Sequence, residues 1–411
     1  MNSPASASSQ ATALPRLLVF SEGVLSRSHG TGAIFARNFS AYPREHLANW
    51  FISGSEDPLF PDALNLSPLR WPGSLFSPPA TLPAKLWNRC GLRPFWTVPV
   101  NLAALRHAAR AQPFVPELVY AIVYSREGID ALRGVLEGLP APVRVVLQIQ
   151  DFFPSNSLGF ARALRRLAPR VAEVWGVSRA ILAVVGPLLP GVPQRFDPLC
   201  YLELPPETKS RHRPFSPDFR TIVIGNFWTP SLLADLRALW RVLQARLPGL
   251  APVRWHCHPA GVARLRAAGF ETGSEVQPAP FLSGSNLFDE LRSADLALIP
   301  FSRTGQPTTD YERYSMPSRL TELCPAGLPI FCLTGEGTPL YDYVTEHGLA
   351  RCAPAGAPVD AAEALAPLIL DVAARAALGA AARRHAETHF QLRPFQAWLA
   401  SKLRALAAPT A

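Results

Sequence analysis

Short runs that are apolar throughout, each followed by a stretch with helical periodicity, recur on both sides of a polar, proline-rich segment at 203–219. A run with no polar alternation suits a strand buried on both faces, and parallel strands need a helical crossover between them. In the first series the runs at 17–21, 118–124, 143–149 and 171–177 read as strands, with helices at 33–39, 128–139, 158–167 and 179–185. In the second, 221–224, 253–257, 296–300 and 349–352 read as strands, with helices at 261–268, 286–293 and 341–346. Ser178 and Asn286 stand where they can cap the helices that follow them. The order predicts an α/β chain with two parallel sheets. Length agrees, because 411 residues exceed what one core usually serves.

Composition narrows the partners. The formal net charge of +9 favours an anionic partner: a nucleotide sugar, an acidic lipid surface or a nucleic acid. The arginines are dispersed and no nucleic-acid-binding signature accompanies them, so nucleic acid is not expected. Cys90, Cys200, Cys257, Cys324, Cys332 and Cys352 show no paired spacing, and several lie in apolar runs, which fits reduced thiols in a cytoplasmic setting. No stretch reaches the ~20 uninterrupted apolar residues of a membrane span. Residues 1–15 read as a disordered leader, and 53–99, dense in Pro, Trp and Phe and including Trp71 and Phe76, as an irregular functional insertion that contacts acceptor or membrane.

The segment 311–333 carries the chemistry. Pro317 and Ser318 open a short helix, Arg319 and Glu322 follow three apart on one face, Gly327 ends it, and Pro329 leads into an apolar run, Ile-Phe-Cys-Leu. An arginine fork at a helix start suits phosphate oxygens, and a carboxylate one turn on can accept from vicinal hydroxyls. An ordinary intrahelical surface pair is the competing reading. The segment resembles the Pro-Ser-Lys/Arg-x-x-Glu…Ala-Gly-x-Pro signature of GT-B fold glycosyltransferases. That resemblance implies two Rossmann-like domains facing across a cleft: an acceptor domain at 16–202, the linker at 203–219, a donor-binding domain at 220–390, and a last segment at 391–411 crossing back to the first domain. Phe395, Trp398, Leu399, Leu403 and Leu406 would supply the apolar stripe of that crossing helix, while Arg393, Lys402 and Arg404 leave peripheral contact with the inner face of a membrane open.

Ligands in such sheets collect beyond the carboxyl ends of the strands. In the loop at 26–32, Gly30 and Gly32 let backbone approach a sugar or diphosphate, with His29 as a base or donor; a plain turn with a solvated His29 is the alternative. Asp151, just past a strand, either deprotonates an acceptor hydroxyl or caps the next turn. Gly225 and Asn226 either cup the diphosphate or cap a helix that begins at Pro230. His256 and His258 share a face at a strand end, but with no third ligand nearby they read as a polar strand end, and no metal or cofactor is expected. Many retaining relatives carry Glu-x7-Glu ending at the ribose-binding glutamate; here the first position is Tyr314, with Asp310 and Glu312 at other spacings, so the stereochemical outcome stays open and either acid is a candidate to contact the sugar by another loop path. The expectation is a metal-independent glycosyltransferase acting on a nucleotide-sugar donor and a glycan, lipid-linked or small-molecule acceptor. The alternatives are an inactive binding or scaffold relative and a nucleotide-sugar epimerase of the same fold.

Overall fold

The computed structural model describes residues 14–26, 30–52, 58–60, 62–66, 93–150, 157–198, 200–204, 213–225, 230–282, 285–303 and 309–408. Its first sheet is parallel throughout, with strands β1 (Leu17–Ser21), β2 (Leu47–Phe51), β3 (Leu64–Asn65), β4 (Leu118–Ile122), β5 (Arg144–Ile149), β6 (Val171–Gly176) and β7 (Gln194–Phe196) in the order β3-β2-β1-β4-β5-β6-β7. The second, also parallel, orders β8 (Thr221–Ile224), β9 (Val253–Cys257), β10 (Val276–Pro280), β11 (Leu296–Pro300), β12 (Ile330–Leu333) and β13 (Ala350–Ala353) as β10-β9-β8-β11-β12-β13. Both therefore reverse direction once, between β1 and β4 and between β8 and β11, and a crevice opens at each reversal.

Four strands, β2, β3, β7 and β10, escape a reading by apolar runs, two of them for a visible reason. In β2 the run is broken by Asn49, which is buried because its Nδ2 donates to the Val19 carbonyl at 3.0 Å and to Ser21 Oγ at 3.3 Å. β10 carries Pro278 and Pro280, tolerated because the strand lies at the sheet edge.

Helices α1 (Gly30–Asn38), α2 (Arg93–Arg110), α3 (Arg126–Gly138), α4 (Ser157–Leu167) and α5 (Arg179–Val185) belong to the first half. Ser178 caps α5 as its side chain accepts from Ile181 N at 3.1 Å. The second half carries α6 (Pro230–Arg246), α7 (Pro259–Ala267), α8 (Ser285–Ser293), α9 (Asp310–Tyr314), α10 (Arg319–Leu323), α11 (Pro339–Glu346), α12 (Pro358–Leu370) and α13 (Val372–His389), and α14 (Leu392–Ala407) ends the chain. Asn286 lies inside α8 rather than capping it. The stretch 361–390, periodic enough to read as one helix, is α12 and α13 bent by 94°. The break falls at Asp371, whose extended backbone (φ −88°, ψ 104°) and side chain, accepting from Ala374 N at 2.9 Å, start α13 afresh. Among the described residues no single helix is long and apolar enough to cross a membrane.

The halves meet along two adjacent crossings. Leu202 N donates to the Phe390 carbonyl at 2.9 Å and Leu392 N to the Leu202 carbonyl at 3.0 Å, so the outgoing and returning chains run side by side. α14 then buries Leu392, Phe395, Leu399 and Leu403 against Val19, Phe39, Tyr120 and Trp175 of the first half. Residues 205–212 of the expected linker lie outside the described residues, but its end is not loose: Arg213 Nε and Nη2 each reach Asp295 at 3.1 Å, and Arg375 donates to the Arg213 carbonyl. At the other end, the Pro15 carbonyl accepts from Tyr42 Oη at 2.6 Å, and residues 1–13 lie outside the described residues. So does most of the Pro- and Trp-rich insertion, Trp71 and Phe76 included.

Candidate functional site

The crevice of the second sheet is where chemistry-bearing residues gather. β8 leads into Gly225, whose φ of +119° is a backbone state that favours glycine and whose carbonyl accepts from Trp255 Nε1 at 2.9 Å. A Cβ at Gly225 would lie 3.9 Å from Arg319 Nε, which places this turn beside the arginine. Arg319 forms an ion pair with Glu322 through Nη1 and Oε2, and its Cζ stands 4.9 Å from the Phe281 ring, in the segment after β10. Phe281 in turn stacks on His258 with centroids 4.2 Å apart. Arg319 and Glu322 are mostly covered, at 18% and 12% side-chain exposure, which separates them from a solvated surface pair.

α10 is held from behind. Gly327, in the left-handed region at φ +67°, closes the turn after it, and Gly379 of α13 packs so tightly there that a Cβ would overlap the Gly327 carbonyl. Arg383 Nη1 donates to the Pro325 carbonyl at 2.6 Å. The amides of Leu320 and Thr321 bond to the Pro317 and Ser318 carbonyls at 3.1 and 3.2 Å, and Ser318 makes no side-chain cap. The helix start therefore offers few free amides to an anion, and the Arg319 guanidinium is the charged donor group there.

The first half touches this site. Arg37 of α1 brings Nη2 to 4.0 Å from Glu322 Oε1 and donates to Cys200 Sγ at 3.4 Å. Ser178 Oγ donates to the Tyr314 carbonyl, and Arg179 pairs with Glu346 of α11. Across the molecule, at the crevice of the first sheet, buried Glu22 accepts from the amides of Tyr124 and Ser125, at 3.0 Å each, and from Ser125 Oγ; burial raises its pKa above the usual carboxylate range.

No protein-family model matches the sequence, and no curated protein matches it significantly. Solved structures do. Anabaena HepE, solved in complex with UDP and glucose, aligns over 95% of this chain and 100% of its own with a TM-score of 0.60 at 13% identity. This chain has the GT-B fold. Sucrose-phosphate synthase from Thermosynechococcus elongatus gives a TM-score of 0.64 at 12% identity over 95% of this chain and 99% of that one. The UDP-forming α,α-trehalose-phosphate synthase from Burkholderia vietnamiensis gives 0.61 at 13% identity over 96% and 98%.

Within this GT-B fold the residues singled out from sequence fare unequally. Gly225, Ser318, Arg319 and Glu322 lie together at the second crevice, as described above. His29, Asp151 and Asn226 lie outside the described residues. Gly30 and Gly32 are not loop residues: α1 begins at Gly30, and a Cβ at Gly32 would overlap the backbone of Ser26, so the bareness of Gly32 serves the preceding loop rather than a ligand. Glu312 is buried in a reciprocal capping box with Thr309 at the start of α9, which removes it from the sugar-contact role considered for it. Tyr314, eight positions before Glu322, packs against the first-half core, so this position serves contact between the halves. His256 is buried, with Nδ1 at 2.8 Å from the Pro280 carbonyl and Nε2 at 3.3 Å from Glu290 Oε1. Among the described residues no His, Cys, Asp and Glu group has the arrangement of a metal site. Arg37, Cys200, Phe281 and Glu22 carry no local sequence signal beyond an acid following a buried run at Glu22, and only the folded chain brings them to the crevices.

Proposed function

We propose that this chain is a glycosyltransferase that takes a sugar from a nucleoside diphosphate donor held at the second crevice and passes it to an acceptor from the first half. One observation carries the reading: Arg319, Glu322 and the Gly225 turn converge beyond the carboxyl end of β8 in a GT-B fold. Transfer breaks the bond between the sugar's anomeric carbon and the diphosphate, and charge builds on the departing phosphate oxygens. Arg319, fixed by Glu322 and stacked near Phe281, offers its remaining N–H groups to those oxygens, while Glu322 accepts from the ribose hydroxyls. The base then lies toward Phe281 and His258, whose stacked rings form an apolar wall with Pro259 and Pro280. Because HepE was solved with UDP and with UDP-glucose, UDP and UDP-glucose are the first ligand and donor to test.

His29 and Asp151 are proposed to act on the acceptor side, and Asn226, next to Gly225 in the chain, on the donor. Arginine supplies the positive charge for the leaving group, so the reaction is proposed to need no metal or cofactor. Free thiols at Cys200, Cys257, Cys324, Cys332 and Cys352 support a cytoplasmic location, and a glycan or lipid-linked acceptor at the inner face of a membrane fits the net charge of +9. The test is calorimetry of the purified chain with UDP and other nucleoside diphosphates, followed by donor turnover with UDP-glucose. Absence of binding to every nucleoside diphosphate sinks the assignment. Binding without hydrolysis or transfer from any nucleotide sugar identifies an inactive relative, and epimerised donor without acceptor identifies an epimerase.

A further inference from the structure

Arg37, like Arg179, reaches from the first half to a carboxylate of the second, but it is mostly covered, at 23% side-chain exposure against 66%. It sits in the last turn of α1, and its backbone carbonyl accepts from Gln396 Nε2 of α14 at 3.0 Å, so the crossing helix fixes where its side chain starts. Its guanidinium meets two acceptors. One is Cys200 Sγ at 3.4 Å, a thiol that burial pushes up to about 11 and so keeps neutral, which makes it a weak acceptor. The other is Glu322 Oε1 at 4.0 Å, the only carboxylate within that distance of Arg37 among the described residues. Arg37 Nε is buried and has no acceptor among the described residues, so the side chain is held in place chiefly by these two contacts.

The Glu322 carboxylate is thus bracketed: Arg319 of its own helix holds Oε2, and Arg37 of the other half faces Oε1. Each oxygen keeps a second lone-pair direction, which is what a pair of vicinal hydroxyls needs. We infer that Arg37 is a positioning residue for the nucleotide's ribose: it orients Glu322 from the first half, so recognition of the vicinal diol is complete only while the two halves are in contact. The inference rests on the donor site proposed above. It adds that the diol is read by a carboxylate supported from both halves, and that a residue which need not touch the nucleotide sets the preference for ribose over sugars lacking the diol.

The test is a double-mutant cycle on the full-length chain, read as dissociation constants for UDP and for 2′,3′-dideoxyuridine diphosphate. Parent protein binds UDP more tightly than the dideoxy analogue, and Glu322→Gln narrows that ratio. Arg37→Met is expected to narrow it by about 3- to 10-fold, with binding of the dideoxy analogue changed less than about twofold. Arg37→Met with Glu322→Gln together is expected to match Glu322→Gln alone, because Arg37 acts through the carboxylate. Arg37→Lys, which keeps a charge facing Oε1, is expected to recover part of the ratio and serves as the test if Arg37→Met does not fold. Equal weakening of both ligands by Arg37→Met, no recovery of the ratio in Arg37→Lys relative to Arg37→Met, or effects that multiply in the double variant would overturn the inference while leaving the donor site standing. A parent protein that binds UDP but does not distinguish it from the dideoxy analogue removes the ribose role of Glu322 itself, and the role of Arg37 falls with it.

Discussion

Arg319→Ala separates a ligand-binding arginine from a structural one, because the two roles predict different observables. In the folded protein Arg319 pairs with Glu322, and both side chains are more than four-fifths covered, at 18% and 12% exposure. Truncation leaves Glu322 facing only Arg37 at 4.0 Å, and stranding a mostly buried carboxylate lowers stability by about 1–3 kcal/mol, against at most ~1 for a solvated pair. The ligand loses more. Charge-assisted hydrogen bonds to diphosphate oxygens are worth about 1.5–3 kcal/mol each, so losing even one weakens UDP by roughly 10- to 100-fold. Calorimetric titration with UDP at low and moderate salt, beside a thermal melt, measures both quantities. Arg319→Lys should fall between parent and Ala, since it keeps charge and loses the fork. A UDP dissociation constant within twofold of the parent, together with the lowered melting temperature, would show that Arg319 is structural and that the donor site lies elsewhere.

Three further outcomes follow from the geometry. Gly379→Ala drives a methyl into the Gly327 carbonyl, so it should lower stability by about 1–3 kcal/mol in urea titration and also weaken UDP binding, because the turn behind α10 moves; parent-like values for both would show that α13 does not brace the site. His385 of α13, bonded through Nε2 to Tyr343 Oη at 2.8 Å, has its pKa lowered to about 4 by burial and by its neighbours His389 and His347, so below pH 6.5 the unfolded chain takes up a proton that the folded chain refuses. Stability should therefore fall as pH drops from about 6.5 towards 4, by roughly 1–2 kcal/mol once solvent screening of a half-buried ring is allowed for, and His385→Gln should flatten that part of the profile; an unchanged slope assigns the loss to other groups. Finally, donor turnover should persist in a chelator, and loss restored by magnesium or manganese would point to a metal held at the site.

What could be read from the sequence is local. A short all-apolar run needs no tertiary partner to be recognised, and β8, β9 and β11 have the bounds that their runs predict. Arg319 and Glu322 were readable for the same reason, since spacing along one helix decides whether two side chains meet. Where a residue's role depends on what lies across the chain, sequence fell short. Gly32 reads as a ligand-approach glycine until the backbone of Ser26 is seen against it, and Glu312 reads as a sugar-contacting acid until its capping box closes. Asn49 interrupts β2 in sequence yet completes it in space through bonds to β1. Arg37 is the extreme case. Nothing near it in the chain distinguishes it from the other arginines, and its contact with Glu322 exists only because α14 returns to the first half and holds the end of α1 beside the second crevice.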